Sequence, residues 1–225
     1  MKALTEKHLA TLRRHMMEVV DIEYELTAED TGRARPERRL RDAMLELPRH
    51  LFVPSPLGAL AYQDRPLPIG FDKTISQPFI GALMVDLLDL RPDDRVLEVG
   101  TGLGYQTALV AGLAGEVWSI DVVEEFAVAA AERLKLLGRD NVTLRVGDGS
   151  RGWPENAPFD AILVSAAAKE LPAALAQQLE VGGRMVLPIG QGMDQRLTRV
   201  ERISEEEVSA TEVMAVRFTE LETGP

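Results

Sequence analysis

Residues 96–105 read Val-Leu-Glu-Val-Gly-Thr-Gly-Leu-Gly-Tyr, and no other stretch narrows the fold as much. The apolar run Val96 to Val99, interrupted only by Glu98, predicts a buried strand. Glycines follow at 100, 102 and 104, and residues 105–113 carry helical character. A strand-to-helix turn without Cβ atoms lets backbone approach a nucleotide-like ligand closely. The spacing also selects the ligand. A dinucleotide fingerprint places glycine at 100, 102 and 105, and position 105 is Tyr105.

From Arg95 onward strand and helix patterns alternate. Strands are predicted at 95–99, 116–120, 142–146, 159–164 and 183–188, with helices at 104–113, 123–137 and 171–179. Such alternation implies an α/β fold, a mostly parallel sheet with helices on both faces. Residues 195–203 and 211–218 read as two further strands joined by the charged turn Ser204 to Glu207, suited to an antiparallel C-terminal edge. Ahead of the sheet, Leu9, Leu12, Met16, Val19 and Val20 fall at helical spacing within 4–20. A second helix is predicted over 36–47, with Pro36 in its first turn, and a third over 79–88. Between them, 48–78 is proline-rich and irregular, yet carries Phe52, Tyr62, Leu67, Ile69 and Phe71, so it should pack over something. The expected organisation is an N-terminal helical, substrate-covering segment (1–78) on a ligand-binding core (79–225), together one compact unit.

Composition removes several classes. At 225 residues and 45% hydrophobic the chain can bury one α/β core with a modest appendage. A net charge of −11 and a pI of about 4.9 argue against binding nucleic acid through a broad basic surface. Without cysteine there is no disulfide, thiolate metal site or thiol nucleophile, and His8, His15 and His50 are not clustered with carboxylates, so no metal is expected. No apolar run approaches the ~20 residues of a membrane span, and residues 1–14 lack a signal peptide's apolar centre. A cytoplasmic protein, monomeric by default, is the expectation.

A nucleoside ligand in an open α/β sheet lies across the carboxyl ends of the strands. The second strand ends at Asp121, placed to accept ribose hydroxyls or to cap the following helix. The third ends in Gly147-Asp148-Gly149, where Asp148 can accept from an adenine amino group or simply make an Asp-Gly turn. Glycine loop, acid after strand two and acid after strand three occur in that order. Together with Glu98 ahead of Gly-x-Gly-x-Gly, they resemble the S-adenosylmethionine site of methyltransferases, in which Glu98 would serve the charged amino acid end. The fourth strand end, Ser165 to Ala168, lacks Asn-Pro-Pro-Tyr and offers no strong base. A carboxylate acceptor needs none, because it is already ionised at neutral pH.

Residues 49–80 make the resemblance specific. Arg49, Phe52-Val53-Pro54, Ala61-Tyr62-Gln63-Asp64-Arg65-Pro66-Leu67-Pro68-Ile69-Gly70 and Thr74-Ile75-Ser76-Gln77-Pro78 resemble the N-terminal signature of the protein-L-isoaspartate O-methyltransferases. Pro158 to Ile162, Ala166 to Ala168, Gly182-Gly183 and Leu187 to Gly190 continue the pattern in order. The resemblance implies a Rossmann-like class I methyltransferase that uses S-adenosylmethionine to methylate the α-carboxylate of L-isoaspartyl residues in damaged proteins and peptides. It also implies cofactor contacts from Thr74, Ile75, Ser76, Glu98, Gly100, Thr101, Gly102, Gly104, Asp121, Val122, Asp148 and Gly149, with Ser76 at the reacting centre. Departures are Lys73 before Thr74, Leu103 inside the glycine loop, and Thr219-Glu220-Leu221 after Phe218. Two alternatives stay open: a carboxyl methyltransferase serving a dedicated partner peptide, and a nicotinamide-dependent oxidoreductase.

Overall fold

The computed structural model describes residues 5–223. The N-terminal helix α1 (Glu6–Leu26) starts at Thr5, whose hydroxyl accepts from the His8 N–H at 3.4 Å. It runs past the expected end at Val20 because its apolar stripe continues to the buried Tyr24. A single turn, α2 (Ala28–Thr31), stops at Gly32, where φ is +68°. Helix α3 (Arg38–Glu46) begins beyond Pro36, because the Glu37 side chain caps it by accepting from the N–H groups of Arg39 and Leu40.

Residues 48–78 are ordered by short elements that the proline pattern did not resolve. Two 3-10 turns (Arg49–Phe52 and Ser55–Leu60) lead to an antiparallel hairpin, β1 (Leu67–Gly70) with β2 (Lys73–Ile75). Helix α4 (Pro78–Asp86) follows, with proline in its first turn.

The main sheet is then laid down by β3 (Arg95–Val99), α5 (Tyr105–Ala111), β4 (Glu116–Asp121), α6 (Glu124–Leu136), β5 (Val142–Val146), β6 (Phe159–Val164), α7 (Ala173–Gln177), β7 (Leu179–Gln191), β8 (Asp194–Arg202) and β9 (Val208–Ala215). The strand order is β5-β4-β3-β6-β7-β8-β9, parallel from β5 to β7 and antiparallel from there to β9. Two boundaries differ from expectation. β7 starts at Leu179 rather than 183, because α7 stops early and Leu179 already pairs with Phe159. The last strand lies at 208–215, not 211–218. Beyond Ala215 the chain leaves the ladder, with Phe218 held on both backbone sides by the Gln195 amide.

Two apolar layers sandwich the sheet, and β3 shows why. Successive side chains point to opposite faces. Val96 joins the layer containing α1, α3, α4 and α5, whereas Leu97 and Val99 join Trp118, Phe159, Leu175 and Met185. Helices α1 and α3 share one core with α4 and α5. Among the described residues no helix is long and apolar enough to cross a membrane.

Candidate active site

After β3 the chain builds outward through β4 to β5, then crosses back to place β6 on the other side of β3. This reversal splays the connections apart and opens a crevice at the strand carboxyl ends. Here it is a cleft of about 910 Å³. Its floor is the glycine loop, in which Gly100 and Gly102 have φ of +98° and +54°. A Cβ on Gly102 would stand 3.3 Å from Ile69 of the hairpin, so a side chain there would be strained and would press on the covering segment. Hairpin β1–β2 covers one side of the cleft and Thr219 to Glu222 the other. The second segment is held by backbone bonds of Thr219 and Leu221 to Ala167, and Lys73 is ion-paired to Glu222 between the two.

Asp121 ends β4 and lines the cleft. Its Oδ2 accepts from the Gly102 N–H at 2.7 Å and its Oδ1 from the Val123 N–H at 2.9 Å, so it both caps the turn and ties it to the glycine loop. Burial raises its pKa, against the lowering effect of those two donors. Thr74, Ile75, Ser76, Gly100, Thr101, Gly102, Val122 and Gly149 also line the cleft.

Three expected contacts are set back from it. Glu98 is fully buried, because strand alternation turns it toward α5 rather than over the strand end. Its Oε2 accepts from Thr107 at 2.5 Å and Ser119 at 2.6 Å, while Oε1 has no partner. Burial pushes its pKa up to about 7. Ser119 in turn bonds Thr101 at 2.6 Å, so Glu98 reaches the loop through a hydroxyl relay and not directly. Gly104 sits at the start of α5, where a Cβ would be 3.1 Å from Ala130. Asp148 accepts from the N–H and hydroxyl of Ser150 and shapes the turn that presents Gly149.

A second groove, of about 1310 Å³, runs between the end of α1 and the 214–218 segment, past Phe79, Ile80 and Met193. It meets the cleft at Thr74, Ser76, Ser165 and Thr219, which line both cavities. All four carry hydroxyls and none titrates near neutrality. Ser76 could have been spent capping α4, but Asp64 does that work. Its Oδ1 accepts from the Phe79 N–H at 2.9 Å and its Oδ2 from Gln77 at 2.7 Å, leaving the Ser76 hydroxyl without a hydrogen bond among the described residues. Arg49 fixes the same junction from below, donating from Nη2 to the Ser76 carbonyl at 2.6 Å. Neither Asp64 nor Arg49 carries a local signal of these roles, since each acts on residues far along the chain. Only their place in the family-like run marked them.

Comparison with known proteins agrees with this geometry. Relatives named protein-L-isoaspartate O-methyltransferase include one from Polaromonas sp., 48% identical over 219 residues and covering 97% of this chain and 93% of the relative. Another, from Anaeromyxobacter dehalogenans, is 54% identical over 187 residues, covering 82% and 90%. A solved protein-L-isoaspartate O-methyltransferase superposes with a TM-score of 0.76 at 26% identity over 92% of this chain, which spans 65% of that longer protein. A Plasmodium falciparum protein of the same name, solved with S-adenosyl-L-homocysteine, shares the fold at a TM-score of 0.76 and 23% identity, covering 96% of this chain and 99% of its own. The nicotinamide alternative finds no support among them. Residues 26–224 match the model of the protein-L-isoaspartate(D-aspartate) O-methyltransferases, and the chain belongs to that family.

Proposed function

We propose that this protein transfers the methyl group of S-adenosylmethionine to the free α-carboxylate of L-isoaspartyl residues in damaged proteins and peptides, the methyl ester then closing to a succinimide. The observation that carries the reading is the meeting of two cavities at four neutral hydroxyl residues. The cleft suits an adenosyl amino acid: bare glycine backbone on the floor, the Asp121 carboxylate toward ribose, Val122 and Phe126 for the flat base. When bound, the cofactor supplies an electrophilic methyl on a sulfonium.

The protein's part is positional. The Ser76 hydroxyl, free of the helix cap, orients the acceptor carboxylate, with Thr74 beside it. An ionised carboxylate has no proton to lose, so a junction without a base is the chemistry one would build for it. Hairpin β1–β2 and Thr219 to Glu222 keep water from the methyl group. Asp121 holds the glycine loop in shape while its remaining acceptor capacity faces the ribose.

The test uses a matched pair of peptides, one with L-isoaspartate and one with L-aspartate at the same position, and radiolabelled cofactor. The two differ by a methylene moved from backbone to side chain, and misplacement of reacting atoms by about 1 Å costs ~100-fold. Labelling of the isoaspartyl peptide should exceed that of its partner by at least about that factor, and Ser76→Ala should lower the rate with little change in cofactor affinity. Equal labelling, or none, would defeat the proposal.

A further inference from the structure

The two segments that cover the cleft meet through one pair of charged side chains. Among the described residues, the ion pair of Lys73 with Glu222 is the one hydrogen bond or salt bridge that crosses from hairpin β1–β2 to Thr219–Glu222. Its partners stand 149 positions apart in the chain. Lys73 is itself a departure from the family pattern, and Glu222 directly follows another, Thr219-Glu220-Leu221. Both side chains line the cleft, and that of Lys73 is only 20% exposed. The pair also lies within electrostatic reach of Asp121. Burial raises the pKa of that carboxyl and its two backbone donors lower it, while Lys73 lowers it further and Glu222 raises it.

Each segment is firmly rooted at its base and lightly held where the two meet. The hairpin turns through Phe71 and Asp72 at φ of +50° and +54°, values uncommon outside glycine, so its tip depends on outside contacts. Those include the edge-on packing of Phe71 on Phe126, with 5.4 Å between ring centres, and the Lys73 pair. The other segment is fixed by backbone bonds of Thr219 and Leu221 to Ala167. Beyond Leu221, the hydrogen bond of Glu222 to Lys73 is its one tie among the described residues. Parts held by so few contacts open locally while the core stays folded.

We propose that Lys73 and Glu222 form a clasp that closes the two segments over the cleft and sets how fast cofactor enters and its demethylated product leaves. The inference rests on the reading that the cleft takes S-adenosylmethionine, which leaves as S-adenosylhomocysteine. The clasp is made of protein groups alone, so opening it eases entry and exit alike and changes affinity little. A side chain that touched the ligand would act differently, because its loss speeds departure and weakens binding. An ion pair open to solvent is weak and screened by salt, which suits a closure that must release at every turnover. Thr219 lines both cavities, so the same opening also loosens the junction with the second groove.

Surface plasmon resonance on the full-length protein, with S-adenosylhomocysteine as the probe, reads association and dissociation rates together. Lys73→Met and Glu222→Gln should each raise both rates about two- to fivefold, the weight of an exposed ion pair, and leave Kd within about twofold. The double variant should go no further than either single one, because each already breaks the clasp. Lys73→Arg, which keeps the charge, should stay near the unmodified protein. Raising sodium chloride from about 0.05 to about 0.5 M should quicken exchange in the unmodified protein and leave Lys73→Met unmoved. Unchanged rates in both single variants would overturn the clasp, as would effects that add in the double variant. So would a faster dissociation with weakened Kd and unaltered association, which would make the two residues ligand contacts. Failure of the unmodified protein to bind S-adenosylhomocysteine at all would bring down the cofactor reading, and the clasp with it.

Discussion

Glu98 and Asp121 are two carboxylates at neighbouring strand ends with different fates, and the difference lies in which donors reach them. Asp121 meets two backbone N–H groups at the edge of the cleft. Glu98 meets two hydroxyls in full burial and keeps one oxygen unpaired. With a folded-state pKa of about 7, raised from its ordinary 4.5, Glu98 holds its proton more tightly in the folded chain than in the unfolded one. Its contribution to stability is therefore present at low pH and lost as pH rises from about 4.5 through 7, at up to roughly 1.4 kcal/mol per pH unit. Glu98→Gln, which cannot ionise, should flatten the stability–pH curve of the ligand-free protein in that window. Chemical denaturation at a series of pH values measures this. A curve of unchanged slope in the variant would show that Glu98 does not titrate there. The sequence put an acid at position 98, but only the pleat of β3 and the approach of α5 decided that it faces inward.

At the scale of elements, the segment between α3 and α4 is where pattern reading was weakest. Prolines at 48, 54, 56, 66 and 68 obscure any period, and hairpin β1–β2 turns through Phe71 and Asp72, both at positive φ without being glycine. Asp72 is of a type that tolerates positive φ, but nothing about Phe71 announces a tight turn. The hairpin is held there by its surroundings: Phe71 packs edge-on against Phe126, and Lys73 pairs with Glu222. The start of α4 is likewise settled at a distance, by Asp64. Asp64→Ala should remove a cap worth about 1 kcal/mol, or roughly 2–4 °C in melting temperature for a chain of this size. It should also lower kcat by releasing Ser76 to compete for the vacant N–H groups, while Asp64→Asn should recover most of both losses. A melting temperature and kcat unchanged in Asp64→Ala would show that the cap is dispensable.

Across the whole molecule, the N-terminal helices and the sheet are bound into one core. Helix α1 buries Leu9, Met16, Met17, Val20 and Tyr24 in the same cluster as Leu83, Leu109 and Val186. At about 1.5–3 kcal/mol for each large apolar side chain, that face contributes on the order of 10 kcal/mol, comparable to the whole stability of a typical domain, about 5–15 kcal/mol. A protein lacking residues 1–26 should therefore show no cooperative thermal transition and no gain in melting temperature with S-adenosylhomocysteine. A sharp, ligand-sensitive transition in that truncation would show that the core after residue 26 folds by itself. What the sequence alone determined was the local and the periodic. The glycine loop could only be a close-approach turn, the alternation of strand and helix could only give a mostly parallel sheet, and the acids following the second and third strands were already in order. Tertiary structure decided what depends on residues far apart in the chain: that Glu98 is buried while Asp121 lines the cleft, that Asp64 frees Ser76 from capping, that Arg49 reaches its carbonyl, and that 216–218 leave the sheet. Backbone geometry propagates along a chain, but which side chains meet is fixed only when the elements pack, and the site is made almost wholly of such meetings.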